Sequence, residues 1–115
     1  MNKKTVAIIG AGRVGSSVGY LLKRAGYTIT AVAARTVESA EKASFFIGAG
    51  NPGTDVIRAA READFVFITT PDRVIQDVCA AIAAGKGFRA GALVMHTSGA
   101  HTRDLLDSAK AAGAY

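Results

Sequence analysis

Five short apolar runs, separated by stretches with helical spacing, constrain this chain more than any other feature. Thr5-Val6-Ala7-Ile8-Ile9 is continuously apolar rather than alternating, which suits a strand covered on both faces. Thr28 to Ala33, Phe65 to Thr69 and Ala92 to His96 read the same way, and a short, weak third strand falls near Ala49, before an Asn51-Pro52-Gly53 turn. Between the first two runs, Val14, Val18, Leu21, Leu22 and Ala25 form one helical stripe. Lys23 and Arg24 lie in its last turn and Gly26 supplies a left-handed cap. Thr36 caps a helix from Val37 to Phe46, Asp55 caps a brief one through Glu62, and Asp72 opens one that Gly85 ends. A last helix runs from about Thr102 to Ala112, and Ala114-Tyr115 reads as the start of a sixth strand. The order βαβαβαβαβα predicts an α/β fold, a doubly wound parallel sheet of about five strands in a single domain over residues 1–115.

Composition agrees and narrows the function classes. A chain of 115 residues, half of them hydrophobic, supports one packed domain rather than two or a disordered segment. Its 23 alanines and 13 glycines suit close helix packing and tight turns better than a β-sandwich. The net charge of +5 is spread from Lys3 to Lys110 with no basic run longer than two, which argues against nucleic acid as a partner. Charged residues interrupt every apolar run well short of a membrane span. The opening Met1 to Gly12 imitates a signal peptide, but its apolar part is short and glycine-punctuated, so it reads as a buried first strand. A lone Cys79, on a helical face beside Val78 and Ile82, reads as a packing residue in a reducing cytoplasm. No metal site is expected, because His96 and His101 lack a nearby cysteine or carboxylate cluster.

Gly10-Ala11-Gly12-Arg13-Val14-Gly15 matches G-x-G-x-x-G, in which the glycines permit a tight turn, close approach of a diphosphate, and close helix packing. The match alone says little. With 13 glycines, three fixed ones arise by chance in roughly one such chain in six. Gly48 to Gly53 is a second literal match, and Gly85 to Ala90 a looser one. Only the first joins a strand to an amphipathic helix, where the free amides of Arg13, Val14 and their neighbours meet an anion at the positive end of the helix dipole.

Dinucleotide folds that prefer NAD carry an acidic residue near the end of the second strand, to hold the ribose 2′-hydroxyl. Here the residues are Ala33-Ala34-Arg35-Thr36. A guanidinium binds a 2′-phosphate bidentately and Thr36 adds a hydroxyl, so NADP is the favoured cofactor over NAD, with Ser39 and Lys42 as secondary contributors.

These residues, with Ala63-Asp64 before the fourth strand, Thr70-Pro71-Asp72 after it and His96-Thr97-Ser98-Gly99, resemble a family of predicted NADP-dependent oxidoreductases. That family has an amino-terminal Rossmann-like domain and a carboxy-terminal helical domain. Pyrroline-carboxylate reductases, β-hydroxyacid dehydrogenases and deazaflavin-dependent NADP reductases are similar at a greater distance. The resemblance implies that Thr70 and Pro71 border the cofactor's ribose and diphosphate, and that Thr97 and Ser98 lie toward the nicotinamide. It also implies a helical domain for substrate binding and dimerisation, which this chain is expected to lack.

The expected activity is hydride transfer between NADP(H) and a small carbonyl or imine substrate. His96 and Ser98, with His101 nearby, are the candidates for a proton donor or charge stabiliser. The alternative is a non-catalytic NADP-binding regulatory or sensor module. A sulfonium-dependent methyltransferase fits less well, since its cofactor brings neither a diphosphate for the glycine turn nor a 2′-phosphate for Arg35. An open edge at the fifth strand suggests a homodimer or a missing domain.

Overall fold

The computed structural model describes residues 5–10, 12–61, 63–69, 72–88 and 92–96, with the backbone alone for Arg13, residues 72–76 and His96. The elements are β1 (Thr5–Ile9), α1 (Arg13–Arg24), β2 (Thr28–Ala33), α2 (Val37–Ile47), β3 (Asn51–Gly53), α3 (Val56–Arg61), β4 (Phe65–Ile68), α4 (Asp72–Ala84) and β5 (Leu93–His96). The last helix and the sixth strand expected from the sequence lie outside the described residues.

All strand pairs are parallel, in the order β3-β2-β1-β4-β5. The chain therefore builds outward from β1 to β3, then returns to the other side of β1 to continue through β4 and β5. That return reverses the winding and puts helices on both faces of the sheet. Val6 and Ile8 face α1 and α2, packing with Ile29, Val32, Ala43 and Ile47. Ala7 and Ile9 face α3 and α4, packing with Ala33, Ala59, Ala60, Ile68, Cys79 and Ile82. Burial on both sides is why β1 carries no polar alternation. Cys79 is fully buried in that second layer, as expected of a packing residue.

One irregularity shifts the alternation in β2. Val6 pairs with Ile29 but Ala7 pairs with Ala31, so Thr30 is an extra residue whose hydroxyl donates to the Val6 carbonyl at 3.2 Å. The bulge lets Ile29 and Val32, three apart, face the same layer.

The third strand departs from expectation by a few residues. Asn51-Pro52-Gly53 reads as a turn, yet it is β3 itself, paired with Ala31, Val32 and Ala33. An edge strand has one side without ladder partners, so a proline that lacks an N–H is tolerated there. Two predicted N-caps hold: Thr36 Oγ1 accepts from the Ser39 amide at 3.1 Å, and Asp55 Oδ1 accepts from the Arg58 amide at 3.1 Å. Asp72, expected to cap α4, is its first residue, and its side chain lies outside the described ones. At the opposite end of the sheet, Asp64 ties β4 to β1. Its amide donates to Thr5 Oγ1 at 2.9 Å, while its carboxylate accepts from the Thr5 hydroxyl at 3.2 Å.

Candidate functional site

The winding reverses between β1 and β4, the place where sheets of this kind bind ligands beyond the carboxyl ends of their strands, and the glycine turn follows β1 there. Gly10 leaves β1 with φ of 112°, a conformation that side-chain-bearing residues rarely adopt. Its amide donates to the Ala33 carbonyl at 2.7 Å, fastening the turn to the end of β2. From the other side, the Thr69 amide donates to the Ile9 carbonyl at 2.8 Å. The Thr69 hydroxyl lies 3.1 Å from the Ile9 carbonyl and 3.2 Å from that of Gly10. The turn is thus held by both neighbouring strands.

The three motif glycines meet different surroundings. A Cβ on Gly15 would come within 2.3 Å of the Gly10 carbonyl oxygen and 2.6 Å of Thr69 Oγ1, so Gly15 is required for α1 to approach the turn. A Cβ on Gly12 would have nothing within 4 Å among the described residues, and Gly12 has an ordinary φ of −76°. Gly12 is the N-cap of α1, with no side-chain cap bond, and the first turn holds no acidic residue. The first amides of a helix have no intrahelical acceptor, so they and the dipole present a positive end beside open space. Arg13 begins α1, and Val14 is half-exposed at the rim.

Arg35 and Thr36 follow β2 directly, and both are exposed. Thr36 is committed to capping α2: its oxygen accepts from the Ser39 amide and its hydroxyl donates to Ser39 Oγ at 3.0 Å. Arg35 reaches the surface next to that helix start, two residues after the strand end to which Gly10 is bonded. Along the end of β2 a cleft of about 420 Å³ opens between β2, β3 and α3. Buried Ala31, Ala33 and Ala59 line it together with exposed Asn51, Thr54 and Arg58. The cleft follows from register, since the residues paired with Ala31 and Ala33 on the edge strand are Asn51 and Gly53, which leave that face of the sheet thinly covered.

His96 ends β5 opposite Ile68. Thr70, Pro71, Thr97, Ser98 and His101 lie outside the described residues. Among the described residues no group of three metal-ligating side chains gathers, and no helix is long and apolar enough to cross a membrane. Sequence reasoning missed Thr69, the residue that braces the glycine turn. Its signal was the strand order, because the residue after β4 reaches the turn after β1 only when β4 lies beside β1.

Three solved structures illustrate the likeness. A protein of Bacteroides fragilis, named as a candidate NADP oxidoreductase, is 27% identical with a TM-score of 0.74 over 86% of this chain and 37% of its own. An imine reductase from Pseudomonas sp. is 26% identical with a TM-score of 0.73 over 96% and 37%. The 3-hydroxyisobutyrate dehydrogenase of Mycobacterium tuberculosis, at 21% identity and a TM-score of 0.79 over 98% and 38%, shares the fold. This chain therefore spans a little over a third of the length of each. No curated protein sequence matches it. The sequence profile of the Rossmann-like domain covers residues 1–115 from end to end, and together with the strand order and the glycine turn it shows that the chain belongs to the Rossmann-like domain family.

Proposed function

We propose that this chain is the NADP-binding domain of an oxidoreductase that reduces a carbonyl or imine carbon of a small-molecule substrate. The observation that supports this reading is the contrast among the motif glycines: the fold needs Gly10 and Gly15, whereas among the described residues nothing fills the space that a Cβ on Gly12 would meet. A diphosphate uses that space, bound by the amides at the start of α1. Arg35 then takes the 2′-phosphate, beside the α2 start that Thr36 and Ser39 shape, and the cleft between β2, β3 and α3 is large enough for the base of the nucleotide. Thr70, Pro71, Thr97 and Ser98 are assigned to the remaining length of the cofactor by resemblance, with His96 and Ser98 as candidates for proton delivery.

The cofactor, when bound, supplies the hydride. The chain's own residues hold and orient it, and the groups that orient the substrate lie beyond the glycine turn and Arg35. The names of the two structures above 25% identity, one an NADP oxidoreductase candidate and one an imine reductase, support this choice of cofactor and substrate class.

Calorimetric titration with NADP and then NAD at matched salt tests the reading, since the chain has no tryptophan for a quenching assay. NADP is expected to bind at least about tenfold more tightly, a difference of about 1.4 kcal/mol, and Arg35→Ala should erase the preference while leaving NAD binding unchanged. Equal affinities would remove Arg35 from the reading, and absence of binding by both would remove the cofactor.

A further inference from the structure

The outer surface of α1 and α2 carries an apolar band that the fold does not cover. Phe45 is 90% exposed, Leu21 64%, Phe46 56% and Tyr20 37%. The Tyr20 and Phe46 rings touch across the two helices, with centroids 5.5 Å apart, and Leu21 and Phe45 are their neighbours in sequence on the same two helices. Arg24 lies over the Tyr20 ring, 5.8 Å from its centroid, and its Nη1 donates to the Tyr20 hydroxyl at 3.3 Å. Aromatics with an arginine are the side chains enriched where protein surfaces meet.

The charges around the strip are arranged by polarity along the helices. The two helices run side by side, with Gly19 of α1 against Ile47 and Lys23 against Gly48 at the end of α2. α1 has no acidic residue and ends in Lys23 and Arg24, whereas α2 carries Glu38 and Glu41 one to two turns before Phe45, with Lys42 one turn before Phe46. All five of these charged side chains are exposed, and the two glutamates outnumber the one lysine on α2. We infer that the band is a homotypic interface, in which two copies of this chain pair about a two-fold axis passing through the Tyr20–Phe46 contact. A two-fold axis perpendicular to the helices reverses their direction, so the basic end of one copy meets the acidic turns of the second, Arg24 opposite Glu41 twice over. An aromatic side chain carries about 150–250 Å² of surface. The exposed parts of these four side chains come to roughly 400–500 Å² per copy, so two copies approach the ~1,000 Å² of a specific interface before the flanking charges are counted. The strip lies on the carboxyl-terminal half of α1, away from Gly12, so pairing leaves the glycine turn open.

Sedimentation equilibrium of the chain tests the pairing, with circular dichroism melts to confirm that each variant folds. The chain should form a concentration-dependent dimer, and Phe45→Glu should abolish it while still unfolding in one cooperative transition, at a melting temperature that no longer depends on concentration. Arg24→Glu and Glu41→Arg should each weaken dimerisation about tenfold or more, because each places like charges opposite one another at both symmetry-related contacts. Mixing those two variants should restore the dimer, since each then supplies the charge that the other lacks. A folded monomer at all concentrations, a dimer indifferent to Phe45→Glu, or a mixture that does not recover would overturn the proposal.

Discussion

Gly12 and Gly15 sit three residues apart in one motif, yet the structure gives them opposite reasons to be glycine. Adding a methyl at Gly15 drives it into the Gly10 carbonyl and the Thr69 hydroxyl. Gly15→Ala should therefore cost about 1–3 kcal/mol of stability, measured by denaturant unfolding, as expected for overpacking against backbone. Adding one at Gly12 meets nothing within 4 Å among the described residues, at an ordinary φ. Gly12→Ala should stay within about 1 kcal/mol of the parent, the cost of a poorer N-cap, while losing dinucleotide affinity at least about tenfold in the titration described above. A variant that folds well and still binds would show that the space beside Gly12 is not the diphosphate site. The pattern G-x-G-x-x-G was legible, but which of its glycines serves the fold was not, because that depends on Thr69, 54 positions beyond Gly15 in sequence.

Helix ends show where local chemistry suffices and where packing intervenes. α1 closes as its sequence implies: Gly26 is left-handed, its amide bonds to the Lys23 carbonyl and the Tyr27 amide to that of Leu22. α4 ends with the same pair of bonds, from Lys86 to Ala83 and from Gly87 to Ile82, but the left-handed residue is Lys86, with φ of 56°. The two flanking glycines are placed by packing instead. A Cβ on Gly85 would come within 2.4 Å of Ile57 Cδ1 on α3, and one on Gly87 within 3.0 Å of the Ile57 carbonyl. Arg61 reinforces the junction by donating to the Gly85 carbonyl at 2.7 Å and to that of Lys86 at 3.3 Å. Gly85 reads from sequence as the end of α4, and it is, for a reason that only the nearness of α3 supplies. Lys86→Gly relieves the left-handed conformation and keeps both backbone acceptors of Arg61. Stability should rise by about 0.5–1 kcal/mol in a thermal melt, and Lys86→Val should lower it.

At the scale of the molecule, the alternation of apolar runs and helical stripes was enough to read a parallel α/β sheet, because strands buried on both faces leave an unmistakable polarity pattern. β3 was misplaced by a few residues, since three edge residues containing a proline carry no such pattern. The cleft beside β3 and the aromatic strip on α1 and α2 were invisible for a related reason: each depends on which elements lie side by side. The same strand order governs cooperativity. β1 takes ladder bonds from β2 on one side and β4 on the other, and Thr5–Asp64 and Ile9–Thr69 clasp it to the region of β4 at both ends. A chain stopped after Arg61 leaves one whole edge of β1 unpaired and removes Val66, Ile68, Cys79 and Ile82 from the layer beneath it. Such a fragment should show no cooperative unfolding transition by circular dichroism, while the 115-residue chain should show one.

The strand made first therefore stays half-paired until the fourth has been made. As the chain leaves the ribosome, β1 emerges with its hydrogen-bonding edge toward β4 bare, and that edge stays bare until the residues through Ile68 have been added. At about 5–20 residues per second, the 59 residues from Gly10 to Ile68 take roughly 3–12 s to synthesise. Throughout that interval a buried apolar strand is an open template for other nascent chains, a period in which a holdase would act on this sequence.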